Sequence, residues 1–302
     1  MFVKLVCFSL NGALRVGVLI ENSVIDLSFI LEERDKRLNM ISVLSAGESL
    51  LERIREAVLS LSNRLQDGGL HVEHAMHSLA GVKLMAPIPR PGKIICLGLN
   101  YSDHAEEAGL TPPEEPVLFS KPATAVVGHE DPVIYPKVSS QVDYEVELAV
   151  VIGKKGKDIP EEDAYEHVAG YTVFNDVSAR DIQFRSIQWF RGKSFDTFAP
   201  MGPCLTLKDE IPDPHNLKMQ MKVNGEVRQD SSTKNMIFKI PYLISFISAG
   251  MTLEPGDVIA TGTPSGVGIY SKPQPKLLKP GDVMEATIEK IGTLRNKVVA
   301  SP

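Results

Sequence analysis

Cysteine is scarce and scattered: Cys7, Cys96 and Cys204 are the only three in 302 residues. No two of them form a Cys-x-x-Cys pair, which excludes a finger-type zinc site. An odd count at such wide spacing fits reduced, packing thiols in a cytosolic protein. Aromatic residues are few, at 6%, with a single tryptophan. No run of about 18 apolar residues occurs, so no membrane-spanning helix is expected. The apolar start MFVKLVCFSLNGALRVGVLI is interrupted by Asn11-Gly12 and Arg15 and carries no cleavage signature, so a soluble, cytoplasmic chain is expected. An excess of positive charge is also missing. Lys+Arg 32 against Asp+Glu 38 leaves a net charge of -6, without the basic footprint of a nucleic-acid binder. Neither a P-loop nor a Gly-x-Gly-x-x-Gly fingerprint is present, which argues against a nucleotide-dependent oxidoreductase.

What is present is a hydrophobic fraction of 43%, enough for one large core or two modest ones. Residues 2–9 and 13–20 are β-rich and joined by Asn11-Gly12, a strong hairpin signal. Residues 48–66 carry apolar residues at helical spacing, followed by the stop Asp67-Gly68-Gly69. Pro87, Pro89 and Pro91 suggest a linker. A small N-terminal α/β domain over 1–88 and a larger domain over 89–302 are therefore expected. Beyond the linker, 93–99, 147–153, 167–175 and 257–262 read as strands, and LKMQMKV and EVRQD as a hairpin about Asn224-Gly225. Pro-Gly-Asp-Val occurs at 255–258 and 280–283, read as two similar turns rather than a repeat. Helices are expected at 102–109, 161–166, 178–188 and 236–249. The fold class is α+β, mostly β.

In Asp143-Tyr144-Glu145-Val146-Glu147, acids alternate with apolar residues, so in a strand Asp143, Glu145 and Glu147 share one face. That face continues through Ala149 and Val151, which look interior. Two carboxylates about 4 Å apart repel by about 4 kcal/mol at an effective dielectric near 20. Either the acids end a solvated strand, or they hold a proton or a cation. Asp176 follows the β-like run YTVFN and either caps a helix at 178–188 or joins Glu145 and Glu147. The joined set is all oxygen, which suits a hard cation: Mg²⁺ first, then Mn²⁺ or Ca²⁺. In the helix at 102–109, capped by Ser102 or Asp103, His104 and Glu107 are i,i+3 neighbours. They form either a surface pair or a general base with its orienting carboxylate. His71, His74 and His77, at steps of three on a helix, fan too widely to converge and read as surface. Lys121 and Lys193 are cations amid apolar sequence, either surface lysines or partners for an anion. The loop from Thr261 to Gly268, which includes Gly262 and Thr263, offers N–H groups and hydroxyls to a carboxylate.

Taken in order, CLGLNYSDHAEE, FSKP, VDYEVELAVVIG, AGYTVFNDVSARDIQ, GKSFDTFAPMGP, VNGEVRQ and GDVIATGTPSGVG resemble the fumarylacetoacetate hydrolase family from about residue 93 to 299. The N-terminal part resembles the small extra domain of that family's longer domain-containing members. It is unlike the long N-terminal domain of the hydrolase that gives the family its name. The resemblance implies a rolled mixed β-sheet, usually as a homodimer. It implies metal carboxylates at Glu145, Glu147 and Asp176. It implies a catalytic dyad of His104 and Glu107 on a lid, and contacts from Lys193 and Gln183 to the oxo-acid end of the substrate. Lys121, Arg180 and Thr263 match positions that line or support the pocket. The activity implied is Mg²⁺-dependent chemistry on a small 2-oxo acid with an activated C3, through an enolate. Oxaloacetate tautomerisation or decarboxylation and hydrolysis of an acylpyruvate are the leading forms. The alternatives are isomerisation or decarboxylation of a ring-cleavage product of aromatic catabolism, or a non-catalytic metabolite-binding member of the fold.

Overall fold

A computed structural model describes residues 3–31, 38–66 and 75–302. Both Asn-Gly hairpins form. Asn11 and Gly12 (φ 52° and 80°) join Lys4–Leu10 to Ala13–Ile20, and Asn224 and Gly225 (φ 53° and 79°) join Lys218–Val223 to Glu226–Ser232. Positive φ at both central residues is what a tight hairpin turn demands. The two Pro-Gly-Asp-Val segments are similar turns. Asp257 Oδ2 accepts from the Glu254 amide and Asp282 Oδ2 from the Lys279 amide, each at 2.7 Å.

The main sheet runs Met76–Ser78, Ser23–Asp26, Ala13–Ile20, Lys4–Leu10, Ala199–Leu207, Val168–Asn175, Val146–Ile152, Val258–Ala260, Ile94–Gly98, Val117–Ser120. Val258–Ala260 and Ile94–Gly98 are parallel, and the other neighbours on this path are antiparallel. A second, five-stranded sheet is formed by Glu226–Ser232, Lys218–Val223, Val283–Ile288, Gly292–Ala300 and Val133–Tyr135. The fold is α+β and mostly β, as expected. The N-terminal hairpin is hydrogen-bonded directly into the main sheet, with Leu5 opposite Leu205.

Val146–Ile152 is central, and all seven of its residues are buried. Leu148, Val150 and Ile152 face a cluster that includes Met219, Ala286 and Leu243. Ala149 and Val151 face one that includes Ile54 and Val58 from the helix Glu48–Gln66. A strand covered on both faces has to read as a near-continuous apolar run, which explains its sequence. The three cysteines are free and buried.

Three helix expectations need correction. The 161–166 segment is a 3₁₀ helix, Glu161–His167. The 178–188 helix contracts to Arg180–Gln183, because Ser178–Ala179 is committed as a strand to Val142–Asp143 and the Arg180 amide donates to Gln141 O (2.8 Å). The 236–249 helix begins at Ile240, with Pro241 in its first turn. The backbone before it is taken by Asn100. Phe238 N donates to Asn100 Oδ1 (2.8 Å) and Ile237 N to Asn100 O (2.8 Å). Asp67-Gly68-Gly69, His71 and His74 lie outside the described residues. His77 sits in the strand Met76–Ser78, not on a helix, with its ring 5.9 Å from that of Phe8.

Asn100 is fully buried, and its Nδ2 also donates to Thr261 O (2.8 Å) and Phe238 O (3.2 Å). It joins the end of strand Ile94–Gly98 to two distant segments. Asn100→Leu leaves a buried amide and two carbonyls without it, and should cost about 2–4 kcal/mol. Urea unfolding checks this, and a loss below about 1 kcal/mol would count against the role of this amide.

Candidate active site

Glu147 stands in the fully buried strand Val146–Ile152, and Glu145 immediately precedes it. Asp176 follows the neighbouring strand Val168–Asn175. Its amide donates to Glu145 O (2.9 Å), and Asn175 Oδ1 accepts from Glu145 N (3.0 Å). These bonds hold the three acids together. One ligand oxygen from each of Glu145, Glu147 and Asp176 lies within 4.8 Å of the others. Glu145 is 5% exposed, and Glu147 and Asp176 are 0%. The burial rules out a solvated strand end.

Asp143, expected on the same face, is elsewhere. The chain breaks strand pairing between Val142–Asp143 and Val146–Ile152, so the alternation does not carry through. Its carboxylate accepts from Arg180 Nε (2.9 Å) and from the amides of Gly268 (2.8 Å) and Ile269 (3.0 Å).

Three buried cations meet these four buried carboxylates. Lys193 Nζ donates to Glu145 Oε2 (2.8 Å) and Asp176 Oδ2 (2.6 Å). Lys121 Nζ bonds Asp176 Oδ1 and Val177 O. Arg180 Nη2 lies 2.7 Å from Glu145 Oε1, and Nη1 donates to Gln183 Oε1 (3.1 Å). Burial alone would raise Glu145, but Lys193 and Arg180 outweigh it and hold its carboxyl down to about 2. Burial pushes Lys121 below the usual lysine range against the pull of Asp176. Lys193 goes the other way: Asp176 and Glu145 overcome burial and raise it. Glu147 has no ion pair among the described residues. Its Oε2 accepts from Gly262 N (3.0 Å), and its Oε1 is buried without a partner. Burial, then the charges of Asp176 and Glu145, push its carboxyl well above the usual range. An orphaned carboxylate oxygen beside two further buried acids is what a divalent cation would satisfy, so the donor set fits a hard metal ion.

A cavity of about 80 Å³ adjoins this set, lined among others by His104, Glu145, Arg180, Gln183, Lys193 and Thr263. The helix Ser102–Ala108 closes one side and ends at Gly109, φ 67°. Neither Ser102 nor Asp103 caps it. Tyr101 holds the cap position without a side-chain bond, and Asp103 instead accepts from Ser231 Oγ (2.6 Å) and Asn235 Nδ2 (3.1 Å). His104 is 8% exposed, and its Nδ1, which makes no hydrogen bond, is 3.6 Å from Glu107 Oε2. Both Glu107 oxygens accept from Gly266 N (3.0 Å).

The structure thus brings His104, Glu145, Arg180, Gln183, Lys193 and Thr263 to one cavity. Lys121 lies behind Asp176 rather than at that wall. Gly262 presents its amide to Glu147, at φ 94°, a conformation that favours glycine. Sequence reasoning passed over Gln229. It is buried, and it receives Val146 N (2.9 Å) while donating to Thr263 Oγ1 (2.8 Å) and Pro264 O (2.9 Å). A lone amide in a hairpin strand gives no periodic signal of this.

Residues 93–299 match the family model described as fumarylacetoacetate (FAA) hydrolase, C-terminal, and the chain belongs to that family of enzymes. It is 48% identical over 265 residues to a Xenopus laevis protein named oxaloacetate tautomerase fahd2, mitochondrial, covering 86% of this chain and 83% of that one. It is 46% identical over 308 residues to Bacillus subtilis oxaloacetate tautomerase YisK, covering 98% and 100%. Among solved structures, maleylpyruvate hydrolase from Sphingobium sp. SYK-6, in complex with manganese(II) and pyruvate, is 32% identical at a TM-score of 0.79, covering 99% and 100%. Among the described residues, no helix is long and apolar enough to cross a membrane.

Glu147 keeps its proton in the fold at pH values where the unfolded chain, near 4.5, has released it. It therefore opposes folding increasingly as pH rises above about 4.5, up to its own raised value. A cation that displaces the proton removes this penalty. Added Mg²⁺ or Mn²⁺ should raise Tm more near pH 8 than near pH 5. Glu147→Gln should fold and lose most of that gain. Equal gains in both proteins, by thermal melts, would dismiss the three-acid site.

Proposed function

We propose that this enzyme binds Mg²⁺, or Mn²⁺ or Ca²⁺ in its place, through Glu145, Glu147 and Asp176, and acts through an enolate on a 2-oxo acid with an activated C3. Oxaloacetate tautomerisation is the leading reaction. The observation that carries this is the orphaned Glu147 oxygen within a buried three-carboxylate cluster that adjoins the cavity of His104. When bound, the cation supplies Lewis-acid stabilisation of negative charge at the substrate's oxygens. His104 takes the C3 proton, and Glu107, held by Gly266, faces the imidazolium that results. Tautomerisation completes when that proton returns to the enolate at the alternative atom. Lys193 and Arg180 supply positive charge to the substrate carboxylate, and Gln183 orients Arg180. Two relatives named oxaloacetate tautomerase support the substrate class. Hydrolysis of a carbon–carbon bond is the second reading, favoured by the hydrolase with bound pyruvate and a similar fold.

His104→Ala should leave Mg²⁺ affinity and Tm nearly unchanged and lower turnover by about 10²–10⁴. Glu107→Gln should lower it too, and the double variant by less than the product, since the two act as one unit. The assay is the absorbance of enol oxaloacetate at saturating Mg²⁺. Wild-type rates in His104→Ala would remove the dyad from the mechanism. We also propose a homodimer, on the family resemblance; light scattering should give about twice 33.1 kDa, and the monomer mass at micromolar concentration would refute it.

A further inference from the structure

The cavity is lined by side chains of two kinds: Glu145, Arg180, Gln183 and Lys193 are charged or polar, and Leu97, Leu110, Phe119, Phe184 and Trp189 are apolar. Trp189 is the only tryptophan of the chain. It is held from three sides. Its six-membered ring lies directly on Gly98: a Cβ there would come within 2.2 Å of Cζ3 and 2.7 Å of Cη2. Its ring meets Phe119 edge-on, at 5.6 Å and 70°. Its carbonyl accepts from the amides of Gly192 (2.9 Å) and Lys193 (3.2 Å), at the start of the helix Phe190–Lys193. Phe119 also receives the Lys193 ammonium, 5.2 Å from its centroid. The indole is thus tied, through one aromatic ring, to a cation of the polar lining. Any side chain at position 98 larger than hydrogen would force the indole to shift.

The space left is small. About 80 Å³ is far below the ~300–1,000 Å³ of pockets that hold drug-sized ligands. A compact acid fits beside the carboxylates, and a long chain meets the indole.

We propose that Trp189, seated on Gly98 and against Phe119, is a specificity-determining residue that closes the apolar end of the cavity and limits the enzyme to compact 2-oxo acids. This rests on the 2-oxo acid reading above and adds a limit on chain length to it.

Binding tests this without turnover. Titration calorimetry at saturating Mg²⁺ would compare 2-oxobutanoate, 2-oxohexanoate and 4-phenyl-2-oxobutanoate on the wild type, Trp189→Ala and Gly98→Ala. The wild type should bind the phenyl acid at least about tenfold more weakly than 2-oxobutanoate. A single methylene in an apolar pocket is already worth about 10–200-fold. Both variants should reduce that ratio about tenfold or more. Because Trp189 is the sole tryptophan, its emission reports its own position. It should change when 2-oxobutanoate binds to the wild type, and move to the red in Gly98→Ala as the indole is pushed into water. An unchanged ratio in both variants would overturn the proposal. So would an equal loss at every chain length, which would reduce Trp189 to a support for Lys193. Failure of the Mg²⁺-loaded wild type to bind oxaloacetate, titrated beside them, as well as the three acids would overturn the 2-oxo acid reading itself, and this inference with it. That outcome is recognisable because it is independent of length.

Discussion

Four carboxylates and three cations lie out of water in one small volume, and the surrounding structure is organised around that fact. Removing an ion from water costs several kcal/mol even after relaxation. Asp143, Glu145 and Asp176 offset the cost with Arg180, Lys193 and Lys121. Among the described residues, Glu147 receives one amide hydrogen and no ion-paired cation. Burial without a paired cation, and then the neighbouring charges of Asp176 and Glu145, are why this carboxyl is the one pushed up. A buried charge set that does not neutralise itself is poor design for stability and good design for receiving a dication.

Holding such a set needs an over-determined frame. Asn175, Gln229 and the amides of Gly262, Gly268 and Ile269 fix the carboxylates and the strand that carries them. Most are side chain to backbone bonds across long sequence separations. They register three segments that the sheet alone would allow to slide.

The local signals in the sequence were those with a local cause. Asn-Gly turns need positive φ at two residues, and both hairpins followed. The apolar run at 147–153 reflects burial on both faces. The candidate site was partly legible for a different reason: acids in an apolar strand conflict with their surroundings, and such conflict marks a site. Alternation placed Glu145 and Glu147 correctly and misplaced Asp143, because period two holds only while the strand is continuous. The 178–188 helix shortened for a non-local reason, the claim of Val142–Asp143 on Ser178–Ala179. Gln229, and Asp103 with its bonds to Ser231 and Asn235, could not be foreseen, since their partners are more than 30 residues away.

Those Asp103 bonds give the helix Ser102–Ala108 a particular character. Asp103 holds one end of it to Ser231 and Asn235, and Glu107 holds the other to Gly266. Both of these fastenings are hydrogen bonds to carboxylates, at the two ends of a helix that buries little apolar side chain beyond Ala105. Water can take the place of each bond, so undoing one costs about 1.5–3 kcal/mol net, whereas prising apart a packed core would leave voids that nothing fills. The bonds that hold His104 at the cavity are therefore ones that water can replace singly, without leaving a void in the core.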